Sequence, residues 1–461
     1  MRKLTILGGG GVRMPALVHE LLARGEQGFD EICLYEPDLM RREVVAGLAV
    51  ALAASLGRPA AVVATADVEQ AVSGADFIFS AVRVGGDRGR IIDEAVALRR
   101  GLVGQETIGP GGFAMGLRTI PVMLSYCEVI ERLAPGAVLV NFTNPAGLIT
   151  QAILSGSRVR AVGVCDTPSS TLQRVAAFLG CEPKALGYRY GGLNHLGWIC
   201  SVTDGERERI GELLERYEQL AQFDHAFAGF DPELVREVGA IPTEYLYYYY
   251  YPRRYVQTVE RAGTTRGQNV RALNQELIKG VGNALLEGDF QGAWAAYAGV
   301  MGIRHDTYMQ LDMAGTGDAG SGAGATAAVQ SGVLGTGGYE KIAMAVMDSI
   351  TGDLNTEVIV NMRNGSTLPF LDAGDVVETP SRIGAAGDRA RPVGELPPQA
   401  RSLVLEVKEY ERAVIDAAFS GSAERAVEAL ALHPLVPDRT VARELFREYQ
   451  EAHGASLAYL S

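Results

Sequence analysis

The feature that most constrains this chain is a series of short apolar runs, each closed by a polar or glycine turn and separated by helical patterns. The runs occupy residues 4–7, 32–35, 77–82, 137–140 and 161–164. Strands alternating with helices imply a parallel sheet covered on both faces, an α/β fold of the doubly wound Rossmann type. Past residue 200 the pattern changes to long helical segments at 206–221 and 403–420, with one strand-like stretch at 358–361. A chain of 461 residues is too long for one small core. It is expected to divide into a nucleotide-binding domain over 1–198 and a mainly helical α+β domain over 199–461. Residues 314–338 are glycine-rich and of low complexity, and are expected to form a mobile loop able to close over a site.

In such a sheet ligands bind beyond the carboxyl ends of the strands, so the residues just past each run carry the functional reading. Gly8, Gly9, Gly10 and Gly11 follow the first run, and Leu17, Val18, Leu21 and Leu22 then recur at helix spacing behind Pro15. A strand, a glycine turn and a helix let backbone N–H groups approach a pyrophosphate, although a tight turn alone would also use glycines. Glu36 ends the second run, where an acid accepts hydrogen bonds from ribose hydroxyls and favours NAD over its 2′-phosphorylated form; the plain alternative is an exposed turn acid before Pro37. Arg83 follows the third run, Asn141 to Asn144 the fourth, and Cys165 with Asp166 the fifth. Asn194-His195 is a second polar pair expected where a parallel strand ends. A thiolate with an imidazole suits a divalent transition ion whose shell is completed by substrate oxygens and water.

The formal net charge of −13 argues against nucleic acid or an anionic membrane as the main partner. No stretch approaches about 18 uninterrupted apolar residues, and the first strand begins too early to leave room for a signal peptide. Five scattered cysteines (Cys33, Cys127, Cys165, Cys181, Cys200) fit reduced thiols of a cytoplasmic protein.

Residues 91–112 (IIDEAVALRRGLVGQETIGPGG), with Arg83-Val84-Gly85-Gly86, residues 141–146 (NFTNPA), Cys165-Asp166 and Asn194-His195, resemble glycoside hydrolase family 4. Its members are glycosidases that require NAD and a divalent metal. The likeness continues through residues 241–251 (IPTEYLYYYYY) to 428–437 (EALALHPLVP) and is greatest to 6-phospho-β-glucosidases. The resemblance implies a lactate/malate dehydrogenase-like fold, NAD and a metal (usually manganese) as cofactors, and a phosphorylated glycoside as substrate. It implies that Cys165 and His195 hold the metal, Asp166 donates a proton, Tyr245 accepts one, and Glu106 raises the basicity of that tyrosine. Arg83, Arg90, Asn144 and Arg266 fall on substrate-binding positions; Gly8 to Gly11, Glu36 and Asn141 fall on cofactor-binding ones.

Two places depart from the family pattern. The glycine turn continues as Val12-Arg13-Met14-Pro15, where members carry serine, tyrosine and threonine, and Arg13 becomes a candidate phosphate contact. Ala240 stands where α-glycoside members carry an acid, which leans towards β substrates. Tyr247 to Tyr251 are expected in the core or at a subunit interface, and family habit implies a homodimer or homotetramer.

The implied chemistry avoids the paired carboxylates of ordinary glycosidases. A hydride passes from sugar C3 to NAD, the ketone acidifies the C2 proton, and the metal acts as a Lewis acid on the neighbouring oxygens. Tyr245 takes the proton, for which a phenol of pKa about 10 needs a nearby cation. The aglycone leaves by elimination, water adds, and the hydride returns. Three alternatives stay open: a lactate/malate-type dehydrogenase using His195 as acid–base, a family 4 enzyme for α- or non-phosphorylated glycosides, and a non-catalytic NAD-binding sensor.

Overall fold

A computed structural model describes residues 2–24, 28–58, 61–307, 309, 312 and 338–461. The glycine-rich stretch 314–337 lies outside them. Six parallel strands carry the first part: β1 (Lys3–Leu7), β2 (Glu31–Tyr35), β3 (Val62–Thr65), β4 (Phe77–Ser80), β5 (Val138–Asn141) and β6 (Arg160–Gly163). They lie side by side as β3-β2-β1-β4-β5-β6, the doubly wound order of a dinucleotide fold, as expected. Their apolar residues are continuous because both faces are covered. In β5, Val138 and Val140 join one core and Leu139 the other. The apolar runs of the sequence do not include β3, an edge strand in which only Val62 is buried, so it has little hydrophobic signal.

Beyond β6 the sheet continues. β7 (Leu186–Leu193), β8 (Leu196–Asp204), β9 (Arg207–Glu208), β10 (Ile241–Pro242), β11 (Thr356–Arg363), β12 (Val376–Ile383) and β13 (Arg389–Ala390) extend it in antiparallel fashion. The order from β6 outward is β11-β12-β7-β8-β10. The boundary expected between residues 198 and 199 therefore falls inside β8. The stretch 358–361 is the middle of β11, and the segment 403–420 lies within the helix Pro398–Ser420. The expected helix 206–221 is instead β9 followed by two short helices, Ile210–Glu215 and Tyr217–Phe223.

One rung crosses almost the entire sheet. Thr65, Tyr35, Leu7, Ser80, Asn141, Gly163, Asn361, Glu378, Gly192 and Gly197 are successive partners in register. In the parallel half Gly8, Glu36, Arg83, Asn144 and Cys165 all follow this rung within a few positions, so one sheet edge gathers groups that are distant in sequence.

The helix Gly109–Leu133 is long and apolar enough by composition to cross a membrane, although Arg118 and Glu128 interrupt its apolar sequence. It is mostly buried inside the fold, with Phe113, Leu117 and Ile120 in the core, and reads as a core helix. Tyr247 and Tyr248 are likewise buried in the core of the chain itself. All five cysteines are free thiols.

Candidate active site

Contrary to expectation, His195 does not end a parallel strand. It sits in the two-residue turn of the β7–β8 hairpin, between the paired Leu193 and Leu196. Its φ of 62° is left-handed, a region normally left to glycine or asparagine in such turns. The ring is buried and lies flat on Tyr245, with centroids 3.8 Å apart and planes 2° from parallel. Burial pushes the imidazole down to about 3, against the opposing pull of the Glu106 carboxylate. A neutral imidazole is the form that binds metals. Its Nδ1 lies 3.0 Å from Thr107 Oγ1.

Glu106 is gripped by two cations. Arg90 Nη1 lies 3.0 Å from one carboxylate oxygen and Arg83 Nη1 contacts the other. Burial alone would raise this acid, but the guanidiniums of Arg83 and Arg90 outweigh it and hold it at about 2. Arg90 also donates from Nε to Glu94 at 2.8 Å. The loop thus places a permanent negative charge close to His195.

Cys165 lies two residues beyond β6 and is buried. Burial, then the Glu378 and Asp166 carboxylates, push its thiol well up, so the sulfur is protonated unless a cation offsets those charges. Asp166 follows at the N-cap of the helix Thr167–Leu179. Glu378, absent from the sequence-based candidates, links this strand end to the hairpin. It accepts hydrogen bonds from Tyr190 Oη (2.6 Å), Asn194 Nδ2 (3.1 Å) and Asn361 Nδ2 (3.1 Å). Burial pushes it up to about 7 despite those donors. Among the described residues no three His, Cys, Asp or Glu side chains form a metal cage.

The glycine turn is tight. Gly8 has φ +85°, and a Cβ there would lie 2.6 Å from Ala81 O. Gly10 donates its N–H to Glu36 Oε2 at 3.1 Å, and a Cβ on Gly10 would meet Glu36 Cγ at 2.6 Å. Glu36 is buried beside the turn and also accepts the Asp38 N–H at 3.0 Å. Asn141 is spent within the fold. Its Oδ1 accepts from Ser80 Oγ (2.8 Å) and the Thr143 N–H (3.1 Å), while Nδ2 donates to Thr150 Oγ1 (3.0 Å). Its side chain braces the strand-end loop. Asn144 differs, because its buried Oδ1 has no hydrogen-bond partner among the described residues. Such an acceptor costs free energy unless a donor arrives from outside.

Residues 3–181 match the model of family 4 glycosyl hydrolases, and residues 190–436 match the family's C-terminal domain. The chain belongs to family 4 of the glycosyl hydrolases. It is 30% identical to the Probable 6-phospho-beta-glucosidase of Bacillus subtilis (strain 168), covering 99% of this chain and 97% of that protein. It is 26% identical to 6-phospho-alpha-glucosidase 1 of Lacticaseibacillus paracasei, over 97% of this chain and 96% of that one. Among solved structures, the 6-phospho-beta glucosidase of Thermotoga maritima with manganese, NAD+ and glucose-6-phosphate superposes with a TM-score of 0.78 at 26% identity, covering 98% of each chain.

This family 4 chain has a further group that the sequence pattern concealed. Half-buried Arg304 donates to a neutral partner, Asn274 Oδ1, at 2.6 Å. Arg266 donates to the backbone carbonyl of Arg304 at 3.0 Å. Burial, with the guanidiniums of Arg13, Arg266 and Arg90, pushes Arg304 down to about 9. Arg13 lies over the ring of Tyr339, 5.5 Å from its centroid. A cluster that weakens its own cation favours an incoming anion. Arg304 lies in the last turn of the helix Phe290–Asp306, and only the fold reveals its company.

Proposed function

We propose that this family 4 glycosyl hydrolase cleaves 6-phospho-β-glucosides with NAD and a divalent manganese ion as cofactors. The observation that carries the reading is Asn144, whose buried Oδ1 has no partner among the described residues, in a fold that also holds a neutral imidazole at the β7–β8 turn and a buried thiol beyond β6. The donor set fits the groups implied: sulfur and imidazole for a transition ion, Glu36 beside a glycine turn for a ribose. The gathering of Arg13, Arg266 and Arg304 supports a phosphorylated substrate. Ala240 is buried and contributes no acid where α-specific members carry one, which supports the β anomer.

When bound, NAD supplies a reversible hydride acceptor for C3 and the metal supplies a Lewis acid for the adjacent oxygens. The remaining work falls to side chains. Cys165 and His195 would hold the ion, and the flat stack fixes the Tyr245 ring against His195. Tyr245 receives the C2 proton. Glu106, kept ionised by Arg83 and Arg90, favours proton arrival on the phenolate oxygen. Asp166 holds the proton for the departing aglycone oxygen, and water then adds at C1. Asn144 accepts a sugar hydroxyl, which orients the ring. The same reading expects a homodimer or homotetramer, measurable by light scattering; strongly exposed Leu286 is the apolar residue best placed to be covered.

The test is a panel of nitrophenyl α- and β-glucosides, free and 6-phosphorylated, assayed with NAD and Mn2+ present or withheld. Release from the phosphorylated β substrate alone, lost without either cofactor and accompanied by solvent deuterium at C2, is expected. Turnover indifferent to both cofactors would refute the reading, and NADH accumulating mole for mole would mark a dehydrogenase instead.

A further inference from the structure

Gln105 and Thr107 flank Glu106 in sequence but turn their side chains to a different task. Gln105 Oε1 lies 2.6 Å from the Thr107 backbone N–H and 2.8 Å from Thr107 Oγ1. A backbone N–H only donates, so the amide atom facing it is the carbonyl oxygen and not the NH2 group. That oxygen cannot donate to the threonine hydroxyl. The hydroxyl therefore gives its single hydrogen to Gln105, and its lone pairs face His195 Nδ1 at 3.0 Å. An acceptor in that position selects the imidazole tautomer with hydrogen on Nδ1, and the lone pair falls to Nε2.

We propose that Gln105 and Thr107 are positioning residues that lock His195 in the Nδ1–H tautomer and so present Nε2 to the divalent ion. The inference rests on the reading of His195 as a metal ligand and adds how that ligand is prepared. Two contacts together define the ring. The stack on Tyr245 sets its plane, and the Nδ1–Thr107 contact sets its rotation within that plane. The left-handed backbone of His195 leaves the hairpin tip no easy alternative for presenting the ring. A ligating imidazole whose second nitrogen donates to an oxygen is both oriented and made more basic, and losing such a partner typically lowers metal affinity about 10–100-fold. Gln105 acts at one remove, since its carbonyl oxygen alone forces the hydroxyl to turn its lone pairs to the ring.

Mn2+ binding to the full-length enzyme, followed by electron paramagnetic resonance, and NAD binding, followed by calorimetry, separate the possibilities. Thr107→Val is expected to weaken Mn2+ about 10–100-fold with NAD affinity unchanged, and Thr107→Ser to restore it to within about threefold. Histidine 15N spectra of the metal-free enzyme, assigned by loss of the signal in His195→Asn, are expected to show the proton on Nδ1 in the parent and a shifted tautomer balance in Thr107→Val. Parent-like Mn2+ affinity in Thr107→Val, or a proton on Nε2 in the parent, would overturn the inference. Failure of Cys165→Ser to weaken Mn2+ would instead sink the metal-site reading, while the spectra still decide the tautomer.

Discussion

Asn144 separates ligand binding from stability at the level of a single atom. A buried acceptor with no donor among the described residues is a cost the fold bears, and its removal offsets the long 3.4 Å bond that Asn144 Nδ2 donates to Phe142 O, so Asn144→Ala is expected to leave the melting temperature nearly unchanged and raise KM about 10–100-fold, the worth of one lost hydrogen bond to substrate. A fall in stability with KM untouched would mean that the amide serves the fold. Residues of this kind were legible from short motifs: NFTNPA, the Cys165-Asp166 pair and the loop around Glu106. Glu378 was not, because an acid in a strand reads as solvent-facing, and only the pairing of β12 with β11 and β7 shows it buried among three donors. Arg304 and Thr107 escaped for the same reason. Their partners Asn274 and His195 are too far along the chain for any local pattern to record.

At the level of elements, the glycine turn and the hairpin solve opposite problems. The turn must bring β1 and β2 together around Glu36, and Gly10 does so by having no side chain. Gly10→Ala would drive a methyl into Glu36 Cγ and displace the carboxylate. NAD affinity should fall roughly 10–100-fold, as misplacement by about 1 Å of a binding group does elsewhere. Unchanged NAD titration curves would remove Glu36 from the site. The hairpin tip accepts strain at His195 to deliver a ring where a parallel strand could not. The alternation of apolar runs and helices made the parallel half readable, since strands buried on both faces announce themselves. The antiparallel half was muted by Gly191, Gly192 and Pro380 inside its strands and by mixed polar sequence, so besides a strand ending at Asn194-His195 only residues 358–361 were expected where the sheet runs on through five.

On the scale of the molecule, buried polar locks tie the C-terminal helices to the helices and strands that precede them. Arg118 makes paired 2.7 Å bonds to Asp93, and His453 of the last long helix lies 2.9 Å from the same carboxylate. Lys408 places its three donors on Gln151 Oε1, Val376 O and Glu411. His433 is a different case, packed edge-on to Tyr410 with Nδ1 accepting the Leu435 N–H at 3.1 Å. Burial pushes its imidazole down to about 3. Below about pH 6.5 the unfolded chain takes a proton that the folded chain refuses, so stability drains away as pH falls from there towards 3. His195 acts in the same sense. Glu378 and Asp312, raised by burial to about 7 and about 6, act in the opposite one, because the fold keeps protons that the unfolded chain has lost. The parent's net slope is therefore shallow, and one replacement exposes the balance. His433→Asn keeps an acceptor for the Leu435 N–H and removes the titration. Relative to the parent, the variant should gain about 1.4 kcal/mol of unfolding free energy per pH unit between about pH 6 and pH 4.5, read from paired urea titrations. Parallel stability curves would show that this imidazole is not held neutral by the fold.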